Sequence, residues 1–163
     1  MLFRSDDANS LDWLTSRAID VNGPFGYEAF NAGVGALVMG SATYEWLLSN
    51  QPGEWMYSQP TWVLTHRPQI IADGHPVTVF SGSVTDLHPR LVEAAGERDV
   101  WVVGGGDVGA QFVAAGLVDE LIVSYAPCSL GSGAPVLPIR SEWVLAETGV
   151  NGDFVCARWQ FKH

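Results

Sequence analysis

The sequence predicts an α/β fold over residues 1–163: one domain built as a three-layer sandwich, with a mostly parallel sheet that finishes in an antiparallel hairpin. Short apolar runs alternate with amphipathic helical stretches, the pattern of parallel strands joined by crossover helices. Near the C-terminus, two strand-like runs flank Asn151-Gly152, a pair typical of tight hairpin turns. The length of 163 residues, with 47% hydrophobic and 16% charged side chains, suits one domain with a sizeable core.

The apolar runs give the order of the strands. The run VWVV at residues 100–103 is the most strand-like, because β-branched and aromatic side chains favour strands. The predicted strands are residues 34–39, 62–65, 77–80, 100–103 and 120–126, followed by the hairpin strands 143–148 and 154–161.

The helices are predicted between these runs from their capping residues. Ser41 is expected to cap a helix over residues 42–49, and Thr85 is expected to cap a helix that Gly96 ends. A further helix is predicted over residues 107–115, directly after a group of glycines.

Charge and composition exclude several classes of partner. Only eight Lys and Arg residues stand against 18 Asp and Glu, for a net charge of -10, so no nucleic-acid partner is predicted. No apolar run approaches the roughly 20 residues that span a bilayer, and no secretory signal is present, so we expect a cytoplasmic protein without a membrane partner. The histidines and cysteines lack metal-ligand spacing, and no metal site is predicted.

The segment Gly104-Gly105-Gly106-Asp107-Val108-Gly109 satisfies the pattern GxGxxG between a predicted strand and a predicted helix. Free amides and the helix dipole at such a place can hold a pyrophosphate. A tight turn without a ligand explains the same glycines, because glycine adopts unusual backbone angles at no steric cost. A standard Rossmann site is disfavoured, since the next strand ends in Ser124-Tyr125 and its acidic residues, Asp119 and Glu120, lie at its start.

Two upstream segments also place groups suited to an anion at the end of a predicted strand. Thr65-His66-Arg67 places a hydroxyl, an imidazole and a guanidinium at the carboxyl end of a strand, which suits a 2′-phosphate or, equally simply, a solvated strand end. Met39-Gly40-Ser41-Ala42-Thr43-Tyr44 is again strand, glycine and helix start. It supplies further amides for an anion, or is an ordinary capped helix.

In this order and spacing, the three segments resemble the dihydrofolate-reductase-like superfamily, and within it the bacterial branch related to the C-terminal reductase domain of riboflavin biosynthesis. The resemblance covers nearly the whole chain, from Ser10-Leu11-Asp12-Trp13-Leu14 to the C-terminal hairpin. Its most specific parts are residues 37–44, 102–106, 116–121, 126–127 and 130–133.

The resemblance implies an oxidoreductase that uses NADPH as cofactor, is similar to 5-amino-6-(5-phosphoribosylamino)uracil reductase or dihydrofolate reductase, and transfers hydride to a small heterocycle. It implies cofactor contacts at Gly40, Ser41 and Thr43, adenosine-phosphate contacts at Thr65, His66 and Arg67, and pyrophosphate and nicotinamide contacts at Gly104, Gly105, Gly106, Asp107, Val108 and Gly109. Substrate contacts are expected at Tyr27, Glu28 and Val103. The sequence does not identify a side chain as the proton donor. The expected partners are a small-molecule substrate and a second copy of the chain, as a homodimer.

Two positions depart from the family pattern. Aligning residues 24–30 with the first family helix puts Gly26 where true folate reductases carry a carboxylate. Glu28 is two residues further along and so faces elsewhere, which disfavours folate reduction. Ser41 stands where an Arg commonly follows Met-Gly, which removes one cation from the pyrophosphate site.

The third departure is at the front of the chain. Family members usually open with a central strand ending in Ser-Leu-Asp-Gly, whereas residues 10–14 resemble a later segment and leave only Met1 to Arg4 for that strand. Either the sequence begins late or the protein fills this sheet position differently. A missing central strand would leave unpaired backbone groups.

Several residues, and the function itself, allow two interpretations at the level of sequence. Tyr27, Trp46 and Trp55 are expected either to stack on a planar ligand or to pack in the core. Asp12 either orients a substrate amine or caps the turn that begins at Thr15. The second candidate function is that of a non-catalytic relative that binds a nucleotide-like ligand or dimerises through an exposed sheet edge.

Overall fold

The computed structural model describes residues 11–51 and 53–162, except for the side chain of Asp12. In this part of the chain the strands are β1 Val34–Gly40, β2 Thr61–Leu64, β3 Val77–Phe80, β4 Asp99–Gly104, β5 Glu120–Tyr125, β6 Trp143–Asn151 and β7 Phe154–Phe161. The α-helices are α1 Asp12–Thr15, α2 Tyr27–Ala32, α3 Ser41–Asn50, α4 Val84–Ala95 and α5 Gly106–Ala114. The sequence expectations for Met1 to Arg4 and for the carboxylate of Asp12 lie outside the described residues.

The strands form a parallel four-stranded sheet in the order β3-β2-β1-β4 and an antiparallel three-stranded sheet in the order β5-β7-β6. This confirms the α/β fold with an antiparallel C-terminal part. β1 is central, and every residue of it from Val34 to Met39 is buried, as expected of a strand covered on both faces. In the described part of the chain, no ladder joins β4 to β5.

Two hydrophobic clusters pack on opposite faces of the parallel sheet. Leu37, Met39 and Trp101 belong to the cluster that also holds residues of α2 and α3. Val38 belongs to the cluster formed with α4 and α5, which includes Phe112. This alternation along β1 and β4 gives the three layers of the predicted sandwich.

Two helix starts differ from the prediction. Gly40 is the N-cap of α3, and Ser41 is already its first residue, with no side-chain cap bond. Helix α4 is capped by Ser83 rather than Thr85, because the hydroxyl of Ser83 accepts the amide proton of Asp86 at 3.2 Å. Both errors come from adjacent hydroxyl or glycine residues that qualify equally as caps by residue type.

The hairpin turn lies one residue later than predicted. β6 continues to Asn151, and Gly152 and Asp153 form the turn, with Gly152 at φ +56°. Asn151 is a strand residue because its buried side chain bonds to the backbone of Asp20 and Pro24. Glycine at the first central position is typical of a hairpin turn with a positive φ there.

Within the described ranges, no helix combines the length and hydropathy needed to cross a membrane. Nor do three or more His, Cys, Asp or Glu side chains in these ranges come together in a way that could hold a metal ion.

Candidate active site

The two glycine turns predicted to hold the cofactor lie side by side at the carboxyl edge of the parallel sheet. β1 and β4 are neighbours, with Met39 opposite Gly104, so the chain turns into α3 and α5 at the same edge. One hydrogen bond joins the turns, because the amide of Gly105 donates to the hydroxyl of Thr43 at 2.9 Å. The first-turn amides of both helices, which have no acceptor within their own helix, are thereby brought close together.

The glycines of the second turn also have packing reasons of their own. A Cβ on Gly106 would lie 2.7 Å from the carbonyl oxygen of Pro135, and a Cβ on Gly109 would lie 2.9 Å from Cδ2 of Leu137. The segment around residues 135–137 therefore packs directly on the first turns of α5. The GxGxxG pattern follows from this close approach and does not by itself indicate a ligand.

Asp107 and Val108 differ in what they offer to a ligand. Val108 is buried and packs with Phe112 in the core, so only its backbone amide is available. Asp107 is exposed in the first turn of α5. Its carboxylate interacts favourably with the helix dipole but repels a phosphate at the same helix end.

The predicted phosphate cluster at the end of β2 is held by bonds within the protein. The guanidinium of Arg67 forms two bonds with the carboxylate of Glu45, at 3.2 and 2.8 Å. The hydroxyl of Thr65 accepts the amide proton of Arg67 at 3.0 Å, and Nδ1 of His66 lies 2.5 Å from the hydroxyl of Ser81. The three residues therefore lie at one strand end, and the side chain of each already has at least one partner within the protein.

Glu45 is a residue of this site that the sequence did not reveal. It belongs to α3, and it meets Arg67 because β2 pairs with β1 next to the start of that helix. Both side chains are about half exposed, at 50% for Arg67 and 42% for Glu45. Since exposed ion pairs contribute little to stability, Arg67 can exchange Glu45 for another anion at low cost.

An aromatic wall covers β4 on the opposite side of the sheet from α4 and α5. The ring of Trp101 makes edge contacts with Phe30, Tyr57 and Tyr27, at centroid distances of 5.0, 5.8 and 6.4 Å respectively. Tyr57 and Trp101 were not predicted as site residues, because their meeting depends on how the segment before β2 packs on β4.

A cavity of about 1060 Å³ lies beside this wall. Tyr27 and Trp46 are among the residues that line it, whereas Glu28 and Val103 are not. Glu28 is exposed and Val103 is buried in the core. Of the predicted cofactor residues only Gly109 lines this cavity, so the cavity and the glycine turns are largely separate features.

The remaining predicted aromatic residue, Trp55, packs in the core. Its ring lies 5.7 Å from that of Tyr44 and 5.4 Å from that of Tyr57. Trp55 is not among the residues that line the large cavity. The structure thus favours the packing role for Trp55.

The turn before α2 has no room for a carboxylate at position 26. Gly26 is the N-cap of α2, and a Cβ there would lie 2.4 Å from the carbonyl oxygen of Val21. Phe25 before it has φ +57°, a left-handed conformation that is uncommon for a bulky residue. This geometry is consistent with the expectation that the chain does not reduce folate in the manner of true folate reductases.

Burial raises the pKa of both tyrosines on the wall. For Tyr57, burial and then the nearby Tyr27 raise the pKa to about 12. For Tyr27, burial and then the charge of Glu28 raise the pKa above its ordinary value. Both phenols therefore stay protonated at neutral pH, where they can donate hydrogen bonds but cannot act as bases.

We expect the protein to lose stability between about pH 10 and pH 12, in part through Tyr57. The phenol of an unfolded chain ionises near its ordinary pKa of 10.0, whereas the folded phenol ionises near pH 12. Raising the pH through this window therefore favours the unfolded state. Urea unfolding at pH 9 and pH 11 measures the loss, and Tyr57→Phe should make it smaller. An equal loss in that variant would exclude Tyr57 as a cause.

Comparison with known proteins identifies the family to which this chain belongs. The model of the RibD C-terminal domain matches residues 37–154, which include the second half of β1, all of β4 and both glycine turns. The chain is 29% identical over 127 residues to the uncharacterized protein YwjB of Bacillus subtilis (strain 168), covering 78% of this chain and 71% of that protein.

Solved structures agree with the match. A candidate riboflavin biosynthesis protein from Shewanella sp. PV-4 is 26% identical and superposes with a TM-score of 0.82, covering 98% of this chain and 92% of that one. A diaminohydroxyphosphoribosylaminopyrimidine deaminase/5-amino-6-(5-phosphoribosylamino)uracil reductase from Thermotoga maritima superposes with a TM-score of 0.65 at 14% identity. The second match covers 97% of this chain and 52% of that chain, and supports the fold alone. The chain belongs to the RibD C-terminal domain family and is a riboflavin-pathway reductase-like protein of the dihydrofolate-reductase-like superfamily.

Proposed function

We propose that the protein is an NADPH-dependent reductase that transfers hydride to a small heterocycle, pyrimidine-like or pteridine-like, of the kind found in riboflavin synthesis. The observation that carries the proposal is the meeting of the two strand-to-helix turns, joined by the bond from Gly105 to Thr43, in a chain of this family. Ligands of open α/β sheets bind at the carboxyl ends of the strands, where these turns lie.

The residues at the turns fit a dinucleotide. The first-turn amides of α3 and α5 suit a pyrophosphate, because they combine unpaired donors with the positive ends of two helix dipoles. Thr43 acts in this proposal as a positioning residue, since its hydroxyl holds the amide of Gly105 and so fixes one turn against the other. The bound NADPH supplies the hydride, and the protein supplies binding and orientation.

The aromatic wall suits a flat substrate. Tyr27 and Trp46 line the cavity and are only partly buried, so their rings offer surface on which a planar heterocycle can pack. Trp101 is buried behind Tyr27 and supports its ring. The protonated phenol of Tyr27 can donate a hydrogen bond to a polar edge of the ring. No described side chain is assigned as the proton donor, and water fills this role in the proposal.

Binding of NADPH is the first test, with Arg67 as the probe. We expect Arg67→Ala to weaken NADPH about tenfold and to leave NADH unchanged, because only the 2′-phosphate needs the guanidinium. Titration of the purified protein, followed by tryptophan fluorescence, measures both affinities. Lys162→Ala is the matched control, since it removes one positive charge from a residue that follows β7 and pairs with Glu142. Absence of saturable binding of either nucleotide would overturn the proposal.

Replacing Glu45 is expected to change NADPH affinity in the opposite direction to replacing Arg67. Glu45→Gln removes the carboxylate that now holds Arg67 and that repels a phosphate at the same place. We therefore expect a rise of about threefold in NADPH affinity, with NADH changed by less, as removal of one exposed like-charge contact allows. The same titration measures the ratio of the two affinities. A fall in that ratio would place the 2′-phosphate away from Arg67.

The second candidate function is that of a non-catalytic relative that binds a nucleotide-like ligand or dimerises. The separation between the glycine turns and the large cavity favours it, since a reductase needs cofactor and substrate in contact. The exposed apolar row formed by Tyr125, Val155 and Val150 across three strands offers a surface for the proposed homodimer. NADPH binding without oxidation in the presence of a pyrimidine substrate would favour this second function.

A further inference from the structure

Tyr44 of α3 is fully buried, yet its hydroxyl reaches the segment that carries Arg67. This segment, residues 65–76, connects β2 to β3 and is named the β2–β3 loop. The hydroxyl accepts the amide proton of Ala72 at 3.0 Å, and it lies 3.1 Å from Nδ1 of His75. It therefore joins α3 to the second half of the loop.

The hydroxyl of Tyr44 can make both bonds at once. Its oxygen accepts from the Ala72 amide, and its single proton can then be donated to Nδ1 of His75, an arrangement in which the imidazole carries its own proton on Nε2. The imidazole also packs against the phenol ring, at a centroid distance of 6.0 Å. A phenylalanine would fill the same space, so the hydroxyl adds a connection to the loop that packing does not require.

The β2–β3 loop has little else to fix its middle part. Within the described residues, the bond from Ala72 to Tyr44 is the hydrogen bond that ties residues 68–74 to an element outside the loop. Ile70 and Ile71 add apolar contacts, because they are partly buried against the core cluster that contains Tyr44. Loss of the hydroxyl should therefore loosen the loop without opening the core.

A short 3₁₀ helix links the held part of the loop to Arg67. The helix comprises Pro68–Ile70, and the carbonyl oxygen of Arg67 accepts the amide proton of Ile70 at 3.1 Å. The next bond of this turn, at 3.2 Å, is donated by the amide of Ile71, the residue before Ala72. Because these bonds make residues 67–71 one unit, a shift of Ala72 is passed on to Arg67.

We propose that Tyr44 is a positioning residue for the 2′-phosphate of NADPH: by holding the β2–β3 loop at Ala72, its hydroxyl sets the place of the Arg67 guanidinium. The inference rests on the proposed function, in which that guanidinium binds the phosphate. Thr65 holds Arg67 from the strand side, because its hydroxyl accepts the Arg67 amide proton at 3.0 Å. Loss of the Tyr44 hydroxyl therefore misplaces the guanidinium only in part.

Tyr44→Phe tests the proposal, because it keeps the ring and removes only the hydroxyl. We expect it to weaken NADPH about threefold and to change NADH by less than about 1.5-fold, since only the 2′-phosphate uses Arg67. Titration followed by tryptophan fluorescence measures both affinities. Thr61→Val is the matched control: it removes another buried hydroxyl, bonded locally to the carbonyl oxygen of Gln59 at 3.0 Å, and should leave the ratio of the two affinities unchanged.

The same substitution in the Arg67→Ala background separates positioning from a merely structural role. If Tyr44 acts through Arg67, Tyr44→Phe should no longer change the ratio of NADPH to NADH affinity once the guanidinium is absent. A fall in this ratio that persists in the Arg67→Ala background would overturn the proposal. An equal loss of both affinities in the single variant would overturn it as well.

Hydrogen exchange without nucleotide tests the contact between Tyr44 and the loop. The amide of Ala72 should exchange at least about tenfold faster in Tyr44→Phe, whereas the amide of Val63 in β2 should not change. If Tyr44→Phe does not fold, His75→Phe replaces it: this side chain is only partly buried, and loss of its Nδ1 should lower the affinity ratio by a smaller factor.

Failure of the proposed function is distinguishable from failure of this inference. If the original chain binds neither nucleotide, the proposed function is wrong, and the role of Tyr44 toward the 2′-phosphate is wrong with it. If the original chain binds NADPH through Arg67 and Tyr44→Phe leaves both the affinity ratio and the exchange of the Ala72 amide unchanged, only the role of Tyr44 is overturned.

Discussion

Gly35→Ala is expected to lower the free energy of unfolding by about 3 kcal/mol, because β1 and the end of α4 touch at this point. A Cβ on Gly35 would lie 2.3 Å from the carbonyl oxygen of Ala95 and 2.7 Å from its Cα. Both atoms belong to the backbone, so no side-chain rotation can relieve the contact. The C-terminal end of α4 must move off the central strand, which weakens the core around Val38 and Leu91.

The matched control is Gly33→Ala, two residues earlier. A Cβ there meets its nearest atom, the carbonyl oxygen of Phe30, at 3.4 Å, which is an ordinary contact. Thermal and urea unfolding of both variants measure the difference. The melting temperature of Gly35→Ala should fall by roughly 6 to 12 °C and that of Gly33→Ala by much less. Equal effects would show that loss of glycine flexibility, not the contact with Ala95, sets the cost.

Periodicity predicted the parallel half of the fold well. The run at residues 34–39 is entirely buried in β1, and the run at residues 77–80 coincides with β3. Such runs are informative because a strand covered by helices on both faces must be apolar throughout. Capping residues were less informative, since Ser83 and Thr85 carry equivalent hydroxyls and only the bond to Asp86 distinguishes them.

The site was predictable where it follows from strand order. The turns at Gly40 and Gly104 meet because each follows a parallel strand, and parallel strands end at the same sheet edge. The contact between Glu45 and Arg67 was not predictable in this way. It depends on the angle of α3 over the sheet and on the conformations of two long side chains, neither of which leaves a pattern in the sequence.

Asn151 shows how a correct motif led to a wrong assignment. Asn-Gly predicted a turn with Asn151 in it, yet the asparagine side chain is buried and serves a long-range role. Its Oδ1 accepts the amide proton of Asp20 at 2.8 Å, and its Nδ2 donates to the carbonyl oxygens of Asp20 and Pro24, each at 2.8 Å. One side chain thus satisfies three backbone groups of the loop that leads into α2.

Asn151→Leu is therefore expected to cost about 3 kcal/mol of stability. Leucine has a similar size but leaves the amide of Asp20 and two carbonyl oxygens without their partner. These bonds are partly buried, so each lost partner costs about 1 kcal/mol, at the lower end of the range for unsatisfied groups. The control is Asp153→Asn at the same hairpin, which keeps a side-chain acceptor for the amide of Ala18 and should cost less than about 1 kcal/mol. Urea unfolding measures both, and equal losses would contradict a special role for Asn151.

Asn151→Leu also tests whether the loop before Tyr27 and the glycine turns act independently. The loop that Asn151 holds leads through Gly26 to Tyr27, whereas the glycine turns lie at the ends of β1 and β4. We expect folded Asn151→Leu to bind NADPH within about twofold of the original chain, because the turns keep their contacts. The raised pKa of Tyr27 should move toward its ordinary value as the loop loosens and the phenol gains access to water. A large loss of NADPH affinity would mean that the hairpin and the glycine turns are coupled through the sheet.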